Sequence, residues 1–202
     1  AQHADDTELT LLALNEFKIS YTFKIAYHFL FQELSASKAS QLLTLLAEQI
    51  LIQCNQLAKK ELALQHGKIE GSSFAIIGYG SLGASTLAFN SDLDLVFLNI
   101  AEQQQISSGV RALDSPRFFL RQAQKLISLL GLSTPSGSLY EIDIRLRPDG
   151  AKGLLVGSME SFEQYQLQRA WVWELQALVR ARAVAGDSNL LERFERLREK
   201  LL

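Results

Sequence analysis

Three aspartates are the chemically loaded residues of this 202-residue chain. Asp92 and Asp94 sit two apart in "SDLDLVFL", an apolar-alternating run that reads as a strand. Both carboxylates therefore leave one face, and Leu93 and Leu95 leave the other. Neighbouring carboxylates repel and lose hydration unless a cation lies between them. Hard oxygen donors of this kind suit Mg²⁺, which takes one or two carboxylates and completes its shell with water and substrate phosphates. Asp143 lies in a second alternating run, "SLYEIDIRLRP", Ser138 to Pro148. Glu141, Asp143, Arg145 and Arg147 share one face of it; Ile142, Ile144 and Leu146 share the other. Laid beside the first strand, it brings a third carboxylate to a two-metal site, with arginines near for phosphate charge. The bland alternatives are two solvated surface aspartates and a half-exposed strand laced with salt bridges.

Just upstream, Gly78-Tyr79-Gly80-Ser81-Leu82-Gly83 is a formal G-x-G-x-x-G after the buried-strand pattern "FAIIG". A dinucleotide-binding turn would need a full helix, a long crossover and one acid about 20 residues on. Only Ser81 to Ser91 separates the glycines from the next strand, and two acids follow at once, so that reading fails. What the turn does offer is backbone N–H groups to a phosphate, which makes Gly80 and Ser81 nucleotide-binding candidates.

The elements that must position these groups fall into three parts. Residues 1–70 read as two long helices: Asp5, Asp6 and Thr7 as caps, a run to about Leu34, a break at "SASKAS", then a helix from about Lys38 to His66 ended by Gly67. Residues 71–157 hold the strands and motifs. Between them "SPRFFLRQAQKLISLLG" reads as a helix with Ser115 at the N-cap, Pro116 at N1 and Gly131 beyond the end. Residues 158–202 read as helical: a helix capped by Ser158, then "AWVWELQALVRARAVAG", then a charged helix opened by Asp187. Trp171 and Trp173 could frame a nucleotide, but at helical spacing they read rather as core residues. Arg180 and Arg182 read either as phosphate ligands or as a solvated face. "RPDGAKG", from Arg147, is a turn-rich connection that carries Lys152 toward triphosphate or partner. The segment "NIAEQQQISSGVRALDS" is a candidate lid or partner contact.

Composition narrows the classes. A formal charge of −2 gives no basic signature of a nucleic-acid partner. Cys54 is the sole cysteine and lies in an apolar helical run, so a disulfide or zinc framework is excluded and a buried, inert thiol is expected. No signal peptide or apolar run of about 18 residues suggests export or a membrane span, so a cytoplasmic location is the default expectation.

Gly80-Ser81, then Asp92-Leu93-Asp94, then Asp143 on a later strand, resembles the nucleotidyltransferase superfamily of DNA polymerase β. The wider text, "GYGSLG…SDLDLVFL", "SGSLYEIDIRLRPDGAKGLLV" and "WVWELQALVRARAVAGD", resembles the bacterial glutamine synthetase adenylyltransferase family over nearly the whole chain. The resemblance implies an α+β fold, a polymerase β-like core with a small mixed sheet flanked by helical segments. It implies AMP transfer from ATP to a tyrosine of glutamine synthetase, with PII signal protein and glutamine as regulators of the full-length enzyme. Asp92 and Asp94 would then hold two Mg²⁺ ions; Asp143 would hold the ion beside the attacking hydroxyl and accept its proton; Gly80 and Ser81 would hold the β- and γ-phosphates, with Arg145 and Arg147 nearby. The wording of the later motifs is closer to the attaching copy than to the AMP-removing copy that such enzymes also carry. Phosphorolytic AMP removal and a non-catalytic sensory or docking module remain as alternatives. Ser81, Ala84 and Thr86 stand where family members carry Lys, Gly and Glu, which puts the usual triphosphate contact of the lysine in question.

Overall fold

The structure, a computed structural model, describes residues 2–102, 104–134 and 137–202. It opens with two long helices, α1 (Gln2–Leu30) and α2 (Ala36–His66). α1 starts ahead of Asp5, Asp6 and Thr7, which therefore lie inside the helix rather than capping it. Ser35 takes the N-cap of α2, its hydroxyl accepting from Lys38 N at 3.2 Å, so the break falls within "SASKAS". Gly67 closes α2, its N–H returning to Ala63 O.

The centre is a mixed sheet. β1 (Ser73–Gly78) runs antiparallel to β2 (Leu93–Ile100), from Ser73 opposite Ile100 to Gly78 opposite Leu95. β3 (Ile142–Asp143) and β4 (Val156–Ser158) both lie parallel to β2 on its far side. β5 (Arg182–Gly186) pairs antiparallel with the free edge of β1. β1 is buried along its length because both faces of the sheet are covered, which is why its sequence is apolar without alternation. On one side Phe74, Ile76, Leu95 and Phe97 pack in a core shared with α2 and with α4 (Ser115–Gly131); the Phe74 ring stacks on Phe97 and Phe119 at 5.9 and 6.0 Å. On the other, Ala75, Ile77, Val96 and Leu98 meet Phe162 of α5 (Met159–Gln168), Leu178 of α6 (Val172–Val179) and Phe194 of α7 (Ser188–Leu201). Helices on both faces of a mostly antiparallel strand pair make the fold α+β.

Several local expectations need correction. The N-cap of α4 is Asp114, whose carboxylate accepts from Arg117 N at 2.9 Å; Ser115 is already helical and donates to Glu102 O. Gly131 is the last helical residue, with Leu132 after it. The alternating run "SLYEIDIRLRP" yields only the two-residue β3. Asp143 captures the Arg145 backbone N–H at 2.8 Å, a local side-chain turn that competes with the ladder. The Arg147 guanidinium holds Ile144 O at 2.5 Å and Gly153 O at 3.3 Å, which fastens the turn. "AWVWELQALVRARAVAG" is not one helix: α6 stops at Val179 and the chain becomes β5, because the open edge of β1 offers it a ladder. Trp171 and Trp173 are 70% and 55% exposed, not core. The segment 99–115 is no loose lid in its described part: Ser108 N, Gly109 N and Arg111 N bond to Lys68 O, His66 O and Gln65 O. Gln103 within it, and Ser136 at the head of "SGSLYEIDIRLRP", lie outside the described residues. Cys54 is buried, as expected.

Candidate active site

Three short pieces of chain converge at the start of β2. β1 ends at Gly78, and Tyr79 N donates to Asp94 O at 2.9 Å, so the glycine turn begins beside the aspartates. The single turn α3 (Gly80–Gly83) follows. Gly80 has φ +54°, and a Cβ there would sit 2.2 Å from Asp94 Oδ2. Only glycine lets the carboxylate rest against this backbone. Gly83 is required for a different reason: a Cβ would lie 2.0 Å from Arg180 O, where the α6–β5 connection crosses the turn.

Asp94 pairs directly with Asp143 across the parallel β2–β3 ladder, and Leu93 N donates to Glu141 O to fix that register. Asp92 immediately precedes β2, two residues before Asp94, and is exposed. The β2–β3 register thus sets Asp94 and Asp143 on neighbouring strands, with Asp92 two residues ahead of Asp94. Their charges are felt: burial first, then Asp92 and Asp143, push the Asp94 pKa up, while Arg145 and Arg180 pull it down. Asp143 moves the other way. Its carboxylate accepts from Arg145 Nε at 2.8 and 3.0 Å and from Nη2, and these hydrogen bonds hold it below the usual carboxylate range.

The donor set fits Mg²⁺ in kind: hard carboxylate oxygens, one of them resting against a glycine backbone. Among the described residues no group of three such side chains is gathered closely enough to hold a metal ion in this conformation. In this conformation the Asp143 carboxylate is engaged by the Arg145 guanidinium. Arg145 has a side chain 79% exposed, so it can swing away. Arg147, expected on the same strand face, instead braces the turn through backbone carbonyls.

Arg182 with Glu48, Arg180 and Glu174 shape the site through contacts that spacing alone does not reveal. Arg182 reaches back from β5 to the glycine turn: its guanidinium contacts Gly83 O, Leu82 O and Ser85 Oγ at 3.3 Å each and pairs with Glu48 of α2. It braces the turn rather than forming a solvated face, and Glu48, 134 positions away, gives no sequence signal of the partnership. Arg180 bonds Thr86 Oγ1 at 3.3 Å and adds positive charge near Asp94. Glu174, buried in α6, accepts from Tyr165 Oη and Trp171 N, both at 2.8 Å, and its charge adds to burial in raising the pKa of Tyr79 beside the turn.

Among the described residues no helix is long and apolar enough to cross a membrane. Comparison with known proteins gives a consistent answer. Bifunctional glutamine synthetase adenylyltransferase/adenylyl-removing enzymes are 50% identical over 199 residues in Xanthomonas campestris pv. campestris, 46% over 199 in Stenotrophomonas maltophilia and 42% over 205 in Pseudomonas aeruginosa. Each alignment covers 98% of this chain and 21% of the relative, so the chain spans about a fifth of the length of these proteins. The family model described as glutamate-ammonia ligase adenylyltransferase matches residues 1–197, and the chain belongs to that family.

Proposed function

We propose that this chain transfers AMP from ATP to a tyrosine of glutamine synthetase, releasing pyrophosphate, as the adenylyltransferase part of a longer cytoplasmic regulator of nitrogen assimilation. The observation that carries the reading is the Asp94–Asp143 register, with Asp92 two residues before and the Gly80 turn closed onto Asp94. Asp92, Asp94 and Asp143 would hold Mg²⁺. When bound, it supplies positive charge against the phosphates and lowers the pKa of the attacking hydroxyl. The protein's own groups do the rest. Gly80 and Ser81 bind the β- and γ-phosphates through backbone N–H and hydroxyl, and Arg145, once released by Asp143, adds charge to the same oxygens. That release frees the Asp143 oxygens of the guanidinium that occupies them, so that they can accept the phenol proton. The phenol oxygen bonds to the α-phosphorus, the bond from that phosphorus to the β-bridging oxygen breaks, and pyrophosphate leaves. Arg147 and Arg182 hold the two loops that flank this centre. Glutamine and a PII-type signal protein would regulate the longer enzyme rather than take part in this chemistry.

The test is transfer of label. With Mg²⁺, ATP labelled at the α-phosphorus and unmodified glutamine synthetase, label should appear on one synthetase tyrosine, and none should appear from ATP labelled only at the γ position. Label from the γ position would make the protein a kinase. No label at all, with a synthetase known to be modifiable, would favour the removing activity or a non-catalytic module.

A further inference from the structure

A cavity of about 330 Å³ opens beyond the three carboxylates, and nothing in the reading above uses it. Its floor includes Val96 and Leu98 of β2, which alternate onto the same face as Asp94. Val96 lies two residues along the strand from Asp94, a step of about 7 Å. One wall is α5, with Tyr165, Gln168 and Arg169; the other is the 147–154 turn that follows Asp143. The cavity is therefore built from the continuations of both aspartate-bearing strands.

Gly157 of β4 keeps it open. It pairs with Leu98 in the parallel ladder and lines the cavity. A Cβ on Gly157 would meet nothing nearer than Leu98 Cδ2 at 3.8 Å, an ordinary contact. Gly80 and Gly83 are glycines because protein atoms crowd them; Gly157 is not. A glycine inside a strand weakens it and marks a place where something else approaches closely. The walls suit a flat, hydrogen-bonding aromatic. The Tyr165 ring is fixed by its hydroxyl on Glu174, and the Arg169 guanidinium stands 5.4 Å from the ring centroid, tied to Asp149 at 3.4 Å. Around them, Ser161, Gln164 and Gln168 supply a hydroxyl and amides, groups that both donate and accept.

We propose that this cavity takes the adenosine moiety of the nucleotide donor while its α-phosphate lies at Asp92 and Asp94, with Gly157 as the residue that makes room. The one-strand-step offset between the carboxylates and the cavity is of the order of the ribose that separates the α-phosphate from the base. The inference rests on the nucleotidyl-transfer reading above, and the test separates the two. Calorimetric titration, with Mg²⁺, compares an ATP analogue that cannot transfer AMP with inorganic tripolyphosphate. The wild type should bind both. Gly157→Leu fills the cavity from a backbone that accepts a Cβ, and should weaken the analogue tenfold or more while leaving tripolyphosphate unchanged. Arg169→Ala, at an exposed position, should weaken the analogue several-fold with the same selectivity. Unchanged analogue affinity in both folded variants overturns the adenosine site, and so does equal loss of both ligands. A wild type that binds neither ligand defeats the nucleotidyl-transfer reading itself.

Discussion

Replacing Arg182 with Met keeps the aliphatic stem and removes the guanidinium that braces the glycine turn. Three contacts to the turn disappear, at Leu82 O, Gly83 O and Ser85 Oγ, and Glu48 loses its cation. The Glu48 side chain is only 13% exposed and that of Arg182 34%, so the carboxylate is left largely dry and unpaired. Breaking a fully buried pair costs about 3–5 kcal/mol. Partial exposure places this one lower, at about 2–3 kcal/mol, some of it the desolvation of the stranded carboxylate. For a chain of this length that corresponds to a fall in Tm of about 4–12 °C. Urea unfolding of the wild type, Arg182→Met, Glu48→Gln and the double variant measures it. The double variant should cost less than the sum of the singles by about 1 kcal/mol or more, since both remove one interaction. Arg182→Met should also weaken Mg·ATP binding, because Gly80 and Ser81 sit in the turn it braces. A single-variant cost under about 0.5 kcal/mol, or strict additivity, would refute the brace.

Asp92→Asn and Asp94→Asn each remove ligand charge at a wet edge; turnover should collapse, while Tm measured without metal holds or rises, because burial and two like charges oppose the charged form of Asp94. A retained turnover at saturating ATP would contradict the assignment. Arg145→Gln removes the guanidinium hydrogen bonds and charge that hold Asp143 low while keeping the backbone N–H bond, so the Asp143 carboxyl, followed by carbon-13 NMR, should titrate at higher pH than in the wild type. Stability contributed by that low pKa is present above the unfolded-state value and lost as pH falls through the folded one, so the acid limb of the wild-type stability profile should flatten in the variant. An unmoved Asp143 titration would show the pairing absent in solution. Burial raises the Cys54 thiol from 9.0 to about 12, so the unfolded chain releases this proton first and stability should fall as pH rises above 9, by about 1.4 kcal/mol per unit from this group. Cys54→Ala should lack that component; parallel wild-type and variant profiles between pH 8 and 10 would contradict it.

The parts of this site legible in sequence are those that depend on local spacing. Asp94 is readable as a strand residue beside Leu93 and Leu95, and the apolar run of β1 declares burial on both sides. Gly80 is readable as a turn residue, but that its missing side chain accommodates Asp94 is visible only in three dimensions. The failures have physical causes. Alternation in "SLYEIDIRLRP" promises a long strand, yet Asp143 and Arg147 spend their hydrogen-bonding capacity on the local backbone and turn the chain. "ARAVAG" has no strong intrinsic preference against helix, and the unpaired edge of β1 decides in favour of β5. Trp171 and Trp173 read as core at helical spacing, but Trp171 precedes the short α6 and Trp173 lies in its first turn, and both are exposed. The Glu48–Arg182 brace joins residues with no sequence relation at all.

The central claim is that Asp92, Asp94 and Asp143 form one cation site that serves a bound nucleotide. Electron paramagnetic resonance of Mn²⁺, titrated into the protein with an ATP analogue that cannot transfer AMP, addresses it most directly. The wild type should capture Mn²⁺ in a nucleotide-dependent manner, and Asp92→Asn, Asp94→Asn and Asp143→Asn should each weaken that capture by tenfold or more while the fold is retained. Capture that survives the Asp143→Asn change undiminished would separate β3 from β2 and contradict the single site.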